Sequence, residues 1–562
     1  MDFYSEIIEE LKKRPINDKQ WAKHKRDLAL KYKLNTIPTN IEILLHTEIK
    51  DIPKLKKFLL TKPVRSISGV APVAIMSKPM PCPHALSGVG PCTMCPGGPK
   101  SVFGEVPQSY TGKEPATMRG IRNKYDSYLQ VFNRLEQYVI LGHNCEKVEL
   151  ILMGGTFPSF PLNYQEEFVK FAFKAMNDFS EQFYDADGEF DYLKFKDFFE
   201  LPAIDLMDKE RTARIQDKLL QLKGDCDLKQ EQTKNQTTKI RCVALCIETR
   251  PDYGLLEQGN QMLSLGCTRV ELGIQSVYDD VLKMIRRGHG IKESKDSIKI
   301  LKDLGFKVAA HYMPGLPGVD AKRDLAGMKK LFSDSAYKPD MLKLYPCMVT
   351  KGTKLYQEFL KGEFQPLNAD GAAELIVKFK KYVPEYCRII RVQRDIPTFQ
   401  IAAGVEMTNL RQYLQQHYNP KCRCIRCREP KGKTIDWEHV KIKVQEYEAS
   451  GGTEFFISVE DINNDLLIGF LRLRFPSKQL RPEITKDSAI VRELHVYGTS
   501  TGIGEEGSIQ HRGWGKKLMQ KAEEICEKKG KNKIIVISGI GVREYYRKIG
   551  YHLEGPYMVK EI

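Results

Sequence analysis

Short apolar stretches alternate with amphipathic ones over the middle of the chain. Between about residues 70 and 390, six runs rich in aliphatic residues are separated mostly by segments of helical periodicity. Such alternation predicts a parallel sheet with right-handed crossover helices. The predicted strands are Val70–Ile75, Val148–Met153, Cys242–Glu248, Arg269–Ile274, Phe306–Tyr312 and Met341–Tyr345. Six repeats favour an α/β fold built on an open, partial β/α barrel, with functional groups at the carboxyl ends of the strands.

Other segments interrupt or flank this alternation. Residues 178–239 are polar, and we expect a helical insertion whose final run, 229–236, is an exposed loop. The last 120 or so residues alternate again, which predicts a second, smaller α/β domain. Its predicted elements are the strands Phe455–Val459, Leu466–Arg474, Ala489–Tyr497 and Lys533–Ser538, and a helix over about 513–529. We therefore expect four units, at 1–70, 71–390, 391–440 and 441–562.

Composition narrows the class of protein. The chain has 562 residues, 41% of them hydrophobic, which is enough for globular cores and excludes wholesale disorder. The uncharged, largely apolar stretch 150–165 contains two glycines and two prolines, so we expect no membrane span. The first residues are acidic before they are basic and predict no signal peptide. In the cytoplasm that this implies, the 14 cysteines favour metal ligation over disulfides.

The net charge of +16 favours a polyanionic partner. The first 65 residues contribute 15 basic against 9 acidic side chains, with apolar residues interleaved at helical spacing. This pattern fits either a solvated helix face or a basic helical arm that binds phosphates. If it is an arm, its candidate residues for binding a nucleic-acid backbone are Lys12, Lys13, Lys25 and Lys56.

Three cysteines follow the first predicted strand on a loop rich in glycine and proline. Cys82, Cys92 and Cys95 have the spacing C-x9-C-x2-C. Four thiols would close a zinc or iron–sulfur site, whereas three leave one corner open. An open iron of a [4Fe–4S] cluster can chelate S-adenosylmethionine, and one electron from the cluster then yields a 5′-deoxyadenosyl radical. The alternative is a structural zinc loop with a distant fourth ligand.

Residues at other strand ends are candidates for binding S-adenosylmethionine. They are Gly154, Gly155 and Thr156 after the second strand, Glu248 after the third and Gly315 after the fifth. Bare backbone can approach the methionyl group, and a carboxylate can bind a ribose. Taken singly, each has a simpler explanation, because glycine pairs form turns and a glutamate can belong to a salt bridge.

A second cysteine group, Cys422, Cys424 and Cys427, has the spacing C-x-C-x2-C. Three thiolates so close together suit a tetrahedral zinc ion in a linker between domains. His417, Cys347 and Cys387 remain open as the fourth ligand. The alternative is a set of reduced free thiols.

The segment Gln510-His-Arg512-Gly513-Trp514-Gly515 precedes the helix of the last domain. Backbone N–H groups at a helix N-terminus can hold a diphosphate, and glycines allow the close approach. In the last turn of the domain, the phenol of Tyr545 or Tyr546 can act as a general acid for a departing thiolate.

These motifs together resemble known families. The three-cysteine loop resembles the radical S-adenosylmethionine enzymes, although most of those have C-x3-C-x2-C spacing. The wider spacing resembles the catalytic subunits of Elongator, a family of tRNA acetyltransferases. The last domain resembles the GNAT acetyltransferases. Further segments that fit the Elongator family are 108–112, 153–156, 247–252, 271–276, 392–397 and 492–498.

The resemblance implies binding residues and a reaction. It favours Tyr546 as the tyrosine that contacts acetyl-CoA and acts as the acid, with Tyr545 mainly packing. Acetyl-CoA would contact Lys147, Glu493, Leu494, His495, Val496, Gln510, Arg512, Gly513, Trp514, Gly515, Lys516 and Tyr546. The radical would abstract hydrogen from the acetyl methyl group, and the carbon radical would add to carbon 5 of the wobble uridine in a tRNA anticodon stem-loop. Hydrolysis would leave a carboxymethyl group. An electron donor is required, and the sequence leaves open whether other Elongator-type subunits take part.

Two rival functions remain. A protein lysine acetyltransferase with a structural cluster would transfer acetyl groups to peptides regardless of RNA. A non-catalytic RNA-binding scaffold is disfavoured by the intact cysteine loop, the phosphate loop and Tyr546.

Overall fold

Four amphipathic helices form the N-terminal segment of the computed structural model. The structure describes residues 2–13, 18–61, 69–203, 208–497 and 513–562. The helices are α1 (Phe3–Lys13), α2 (Asp18–Lys31), α3 (Asn40–His46) and α4 (Ile52–Leu59). Ile7, Ile43 and Leu55 are fully or almost fully buried in a core of their own, so the expected helical segment is confirmed.

The central unit follows as a continuous series of strands and helices. Its elements are β1 (Ala71–Met76), α5 (Pro83–Leu86), β2 (Gly98–Ser101), β3 (Gly104–Val106), α6 (Pro115–Arg122), α7 (Ser127–Ile140), β4 (Lys147–Met153), α8 (Leu162–Phe183), α9 (Tyr192–Phe198), α10 (Lys209–Lys223), α11 (Leu228–Asn235), β5 (Arg241–Thr249), α12 (Leu256–Ser264), β6 (Arg269–Gln275), α13 (Asp279–Met284), α14 (Ile291–Asp303), β7 (Lys307–Tyr312), α15 (Ala321–Ser333), β8 (Met341–Leu344), β9 (Val349–Thr350), α16 (Lys354–Leu360), α17 (Ala369–Lys380) and β10 (Arg388–Arg391).

Seven of these strands form one parallel sheet in the order β1-β4-β5-β6-β7-β8-β10. Within the described residues, β1 and β10 end the sheet and are not paired with each other, so the barrel is open. This confirms the predicted partial barrel and adds β10 to the six predicted strands. Along β4, Val148, Leu150 and Leu152 are buried beneath helices, whereas the alternate residues are half-buried on the inner face.

The polar run 229–236 is not the exposed loop that the sequence predicts. Most of it belongs to α11, which packs on α8. Asn177 donates to the carboxylate of Glu231 at 2.6 Å, and Asn235 donates to Asn177 at 2.8 Å. Asn235 also accepts the backbone N–H of Cys242 at 2.8 Å. Because these buried groups hydrogen-bond one another and the start of β5, a polar sequence forms a packed helix.

A short linker and a second sheet complete the chain. The linker contains β11 (Ile401–Ala403), α18 (Leu410–Tyr418) and α19 (Ile425–Arg428). The last domain contains β12 (Val440–Ala449), β13 (Gly452–Asp461), β14 (Leu466–Phe475), β15 (Ser488–Val496), α20 (Trp514–Lys528), β16 (Lys533–Val536), α21 (Arg543–Arg547), β17 (His552–Glu554) and β18 (Tyr557–Glu561). Its strand order is β12-β13-β14-β15-β16-β18-β17.

The second sheet covers the amino-terminal ends of the barrel strands, called here the foot of the barrel. Arg492 of β15 makes two hydrogen bonds of 2.7 Å to Asp340, which precedes β8. The hydroxyl of Tyr497 accepts a 2.8 Å hydrogen bond from Arg388 of β10. Gly541 lies so close to β5 that a Cβ there would be 2.6 Å from the Cβ of Arg241. The two domains therefore share a large, charged and tightly packed contact.

None of the helices in the described part of the chain combines the length and the apolarity needed to span a bilayer.

Candidate active site

The three-cysteine loop lies at the carboxyl ends of the barrel strands. Cys82 begins α5 shortly after β1, and the backbone N–H of Cys95 donates to the carbonyl of Cys92 at 2.9 Å in a tight turn. The loop then passes close to neighbouring backbone, since a Cβ on Gly97 would be 2.2 Å from the carbonyl oxygen of Tyr110. Glycine is required at that position because a larger residue would displace the loop.

Each of the three thiols meets a hydrogen-bond donor from a different part of the chain. Arg250 Nη1 lies 3.7 Å from the sulfur of Cys82, and Arg287 Nη1 lies 3.5 Å from that of Cys92. Gln108 Nε2 lies 2.9 Å from the sulfur of Cys95. Burial, and after it the neighbouring cysteines, raises the pKa of the Cys95 thiol. An anionic cluster held by the three sulfurs fits this set of donors, because two arginines and an amide would stabilise its charge.

A cavity of about 590 Å³ runs from this loop along the inside of the barrel. It brings several predicted residues together, because Gly155, Thr156 and Glu248 line it along with the three cysteines. The backbone of Gly155 has φ +101°, and a Cβ there would lie 3.1 Å from the side chain of Gln108.

Two of the predicted glycines lie behind this surface. A Cβ on Gly154 would be 2.1 Å from the hydroxyl oxygen of Ser77, so Gly154 permits close packing of β1 and β4. Gly315 donates its backbone N–H to Asp324 at 2.5 Å and lies against Leu367, outside the described lining of the cavity.

Charged side chains form a connected network on the cavity wall. Lys343 bridges Glu248, at 3.1 Å, and Glu271. Glu271 also accepts from Arg269 at 3.1 Å and lies 2.9 Å from His311 Nε2. Glu248 thus has the salt bridge that was its alternative explanation, and it still faces the cavity.

The role of this network was missed from the sequence alone. The available signal was the presence of charged residues at alternate positions of strands that are otherwise apolar. Their meeting across β6, β7 and β8 depends on the register of the sheet.

In the last domain, β15 separates from its neighbour. Its first part pairs with β16 over Ser488–Val491, whereas 493–496 pairs, among the described strands, with β14 alone. This leaves a free strand edge that an extended ligand arm can follow. Glu493 accepts from Arg472 at 2.9 Å. His495 is half-buried, and desolvation lowers the pKa of its imidazole to about 4.

The end of the domain places the predicted tyrosines near the start of α20. Tyr546 is buried, and its ring meets that of Tyr545 edge-on at 5.2 Å; burial raises the pKa of the Tyr546 phenol. A Cβ on Gly515 would lie 2.8 Å from the hydroxyl of Tyr545, so Tyr545 packs on the first turn of α20. Gly513 has φ +73° before Trp514, and Lys516 is exposed in the same turn. Gln510 and Arg512 lie outside the described residues.

Lys147 is the first residue of β4 and lies at the foot of the barrel. It occupies the same face as Glu149 and Ile151, which line the cavity. Burial, and secondly the charge of Arg241, lowers the pKa of the Lys147 ammonium. The side chain is therefore a half-buried cation next to the second domain rather than a solvated surface charge.

Comparisons with known proteins agree with both halves of this arrangement. Family models match for the ELP3 N-terminal domain over residues 1–67, the radical SAM superfamily over 89–326, the radical SAM C-terminal domain over 339–419 and the GNAT acetyltransferase family over 413–551. The tRNA uridine(34) acetyltransferase of Methanocaldococcus infernus is 45% identical over 538 residues, which cover 93% of this chain and 92% of that protein.

Human Elongator complex protein 3 is 39% identical over 549 residues, which cover 96% of this chain and 92% of that protein. The chain belongs to the Elongator complex protein 3 family. A solved structure of Methanocaldococcus infernus Elp3 with an N-terminal deletion superposes with a TM-score of 0.70 at 39% identity. It covers 88% of this chain and 100% of that one.

The linker of this family member brings its three cysteines together. The sulfurs of Cys422, Cys424 and Cys427 lie within 4.8 Å of one another. Hydrogen bonds from Cys422 and Cys427 hold the pKa of the Cys424 thiol below its usual range. A thiolate flanked by two further thiols is a donor set that suits a zinc ion.

The three candidates for a fourth ligand lie outside that group. The carbonyl of Cys387 accepts the backbone N–H of Ile425 at 2.9 Å, and burial and then Cys424 raise the pKa of its thiol. The ring of His417 packs against that of Tyr413 with centroids 4.3 Å apart and planes tilted by 38°, and Cys347 is buried in a separate apolar cluster. Cys387 is therefore the candidate that has a described hydrogen bond to this segment.

The four N-terminal lysines differ in their surroundings. Lys12 binds Glu9 at 2.8 Å and Asp51 at 2.5 Å. Lys25 donates to Asn40 at 2.9 Å, and burial lowers the pKa of its ammonium. The stem of Lys56 lies near Gly142, whereas Lys13 is exposed at the end of α1. Of the four side chains, that of Lys13 is the most accessible to a polyanion.

Proposed function

We propose that the protein is a tRNA-modifying enzyme that attaches a carboxymethyl group to carbon 5 of the wobble uridine, using acetyl-CoA and radical chemistry. The observation that carries this proposal is the cavity inside the barrel. It starts at the three-cysteine loop, and its wall continues along β4 toward Lys147, where the acetyltransferase domain is joined. The names of the relatives supply the substrate class, tRNA uridine 34.

In this proposal Cys82, Cys92 and Cys95 hold a [4Fe–4S] cluster that also binds S-adenosylmethionine. When bound, the pair supplies a 5′-deoxyadenosyl radical after one electron arrives from an external donor. The residues of the chain position these groups. Arg250 and Arg287 stabilise the charge on the sulfurs, and Gly155, Thr156 and Glu248 form the adjoining surface for S-adenosylmethionine.

The acetyltransferase domain binds acetyl-CoA in the proposed reaction. The free edge of β15 at 493–496 takes the pantetheine arm, and the residues 510–516 take the diphosphate. Tyr546 stays protonated because burial raises its pKa, so it can donate a proton to the departing thiolate. Lys147 contributes a cation from the barrel side.

The remaining parts of the proposal concern structure and location. Cys422, Cys424 and Cys427 bind zinc and stiffen the linker. The N-terminal helices bind the tRNA backbone, with Lys13 as the most accessible of the four candidate lysines. We propose a cytoplasmic location, which the clustered cysteines support because thiols stay reduced there. Other Elongator-type subunits are candidate partners.

The decisive experiment is a complete reconstitution. The anaerobically prepared protein is incubated with tRNA, acetyl-CoA, S-adenosylmethionine and a reductant, and the nucleosides are analysed by mass spectrometry. We expect a carboxymethyl group on uridine that depends on every component. Acetylated lysine on a peptide, formed at the same rate without tRNA, would instead support the protein acetyltransferase.

A second measurement tests whether the two halves act together. The acetyl-CoA site and the cysteine loop lie in different domains, so we expect productive geometry to depend on bound tRNA. Release of free thiol from acetyl-CoA should therefore be faster with tRNA than without it. Equal rates would contradict this coupling.

A further inference from the structure

His311 is the one histidine among the described residues that line the barrel cavity. It lies near the end of β7, opposite Lys343 of β8 in the register of the sheet. Its Nε2 lies 2.9 Å from a carboxylate oxygen of Glu271, and the ring of Tyr345 meets it edge-on at 5.4 Å. Two contacts thus fix the orientation of the imidazole.

The partner of His311 is an ionised carboxylate. The Glu271 side chain is only 1% exposed, and burial by itself would raise its pKa. Lys343 and Arg269 outweigh burial and hold the pKa of Glu271 well below its usual range. An anionic Glu271 accepts a hydrogen bond, so Nε2 of His311 carries the proton and Nδ1 does not.

The imidazole is also neutral. Burial, and secondly the charge of Lys343, lowers the pKa of His311. Nδ1 makes no hydrogen bond within the described part of the chain, and the ring borders the cavity. A carboxylate that orients a neutral histidine, with the second nitrogen facing a substrate space, is the arrangement of a general base.

Neighbouring groups are less suited to accept a proton. Burial by itself would lower the pKa of Lys343, but Glu271, Tyr345 and Glu248 outweigh burial and raise it, so Lys343 is charged. Burial raises the pKa of Tyr110, which remains a phenol and donates to Glu248 at 3.2 Å. The ammonium of Lys343 contacts both Glu248 and Glu271, and so occupies the place of a metal cation between these carboxylates and His311.

The proposed function requires such a base. The net reaction replaces the hydrogen on carbon 5 of uridine by an acyl-methyl group. Its first step, addition of the carbon radical to carbon 5, forms one carbon–carbon bond and leaves an unpaired electron on carbon 6. Restoring the double bond then removes the proton on carbon 5 and one electron. The electron goes to a one-electron acceptor of the iron–sulfur class, and the proton needs an acceptor within the cavity.

We propose that His311 takes the proton from carbon 5 of the uridine on Nδ1, with Glu271 as its positioning residue. The inference rests on the proposed function and adds the residue that completes the substitution. It places the uracil ring against the wall formed by β6, β7 and β8, on the side of His311 that faces the cavity.

The test separates hydrogen abstraction from proton removal. Acetyl-CoA with a trideuterated methyl group is supplied with tRNA to the complete enzyme and to the variant His311→Gln. Deuterium in 5′-deoxyadenosine reports abstraction from the acetyl group, and carboxymethyluridine reports the finished substitution. In the variant we expect deuterium transfer within about twofold of the parent and product formation at least about 100-fold slower.

Controls identify a purely structural effect. His439→Gln removes an exposed histidine that lies 2.9 Å from Asp436, and it should leave both readings unchanged. Imidazole added to His311→Ala should restore part of the product, which a merely misfolded site would not do. Glu271→Gln should slow product formation without weakening tRNA binding, measured on the cluster-free protein.

The outcomes are distinct. Product formation by His311→Gln within about threefold of the parent would overturn the proposal. Loss of deuterium transfer together with product, without rescue of His311→Ala by imidazole, would also overturn it. If the unmodified enzyme transfers no deuterium and makes no carboxymethyluridine, the proposed function itself has failed.

Discussion

Arg492 is the centre of the contact between the two domains, and its removal tests how they are joined. Its side chain is fully buried and makes hydrogen bonds of 2.7 Å to each oxygen of Asp340 and of 2.7 Å to Glu454. It also donates to the carbonyl of Phe306 at 2.8 Å. The change Arg492→Met keeps much of the volume and removes the charge together with all of these bonds.

The expected cost follows from the groups left behind. Removing one partner of a buried ion pair costs about 3–5 kcal/mol, because the other charge stays buried without compensation. Lys302 lies 3.6 Å from both Asp340 and Glu454 and can compensate in part. We therefore expect the lower end, about 3 kcal/mol, which corresponds to roughly a 100-fold change in an equilibrium constant.

Native-state hydrogen exchange measures this cost at the interface. The amides of β15 around Arg492 should lose about 100-fold in protection, while those of α8 in the barrel should change little. The double variant Arg492→Met, Asp340→Asn should lose less free energy of unfolding than the sum of the losses in the two single variants, because each change removes the same interaction.

Lys529→Met is the matched control, since its 3.2 Å pair with Glu446 is half-exposed and should contribute less than about 1 kcal/mol. Unchanged protection of β15 would refute the reasoning.

Four further predictions follow from single sites. Cys92→Ala should abolish both iron binding and formation of 5′-deoxyadenosine; continued cleavage of S-adenosylmethionine would exclude Cys92 as a ligand. Tyr546→Phe should slow thiol release from acetyl-CoA by about 100-fold and change the Kd for CoA less than about threefold, measured by titration. The salt dependence of tRNA binding should become weaker when four lysines are neutralised together: Lys12, Lys13, Lys25 and Lys56. The slope of the logarithm of the binding constant against the logarithm of the salt concentration should fall by about 0.7–0.9 for each phosphate that is no longer bound, and an unchanged slope would place the RNA surface elsewhere. Burial would raise the pKa of Glu493, but Lys307 and Arg472 outweigh burial and lower this pKa to about 2. The ionised Glu493 should therefore contribute fully to the free energy of unfolding above about pH 4.5, and this contribution should be lost as the pH falls through 2.

Local signals account for what the sequence predicts well. The cysteine loop is recognisable because its three thiols lie within 14 residues and follow an apolar strand. The barrel is recognisable because its strands are apolar runs between helices. By contrast, β10 has arginine at both of its ends, Arg388 and Arg391, and is only 4 residues long, so no apolar run marks it.

Long-range pairing accounts for what the sequence does not predict. Arg472, Arg474 and Arg492 look like the solvent face of an antiparallel sheet, and yet each is at most 1% exposed. Their carboxylate partners include Asp303 and Asp340, which are more than 130 residues away along the chain. His311, Glu271 and Lys343 likewise meet only because three parallel strands are in a particular register. Charge alternation in a strand indicates a polar face, but it does not say whether that face meets water, a cavity or another domain.

The position of the interface bears directly on the proposed chemistry. Lys147 at the foot of β4 and Met153 at its upper end are 6 residues apart, which is about 20 Å in an extended strand. In the proposed function, acetyl-CoA binds near the first and S-adenosylmethionine near the second, so the acyl group and the radical must be brought together across the inside of one barrel. A flexible joint between the domains would let that separation vary. The buried ion pairs of Arg492, Asp340 and Glu454 instead fix the second sheet against the ends of the strands that line the cavity. Rigidity at the foot of the barrel leaves the tRNA, rather than domain movement, to bring the uridine into position between the two reactive groups.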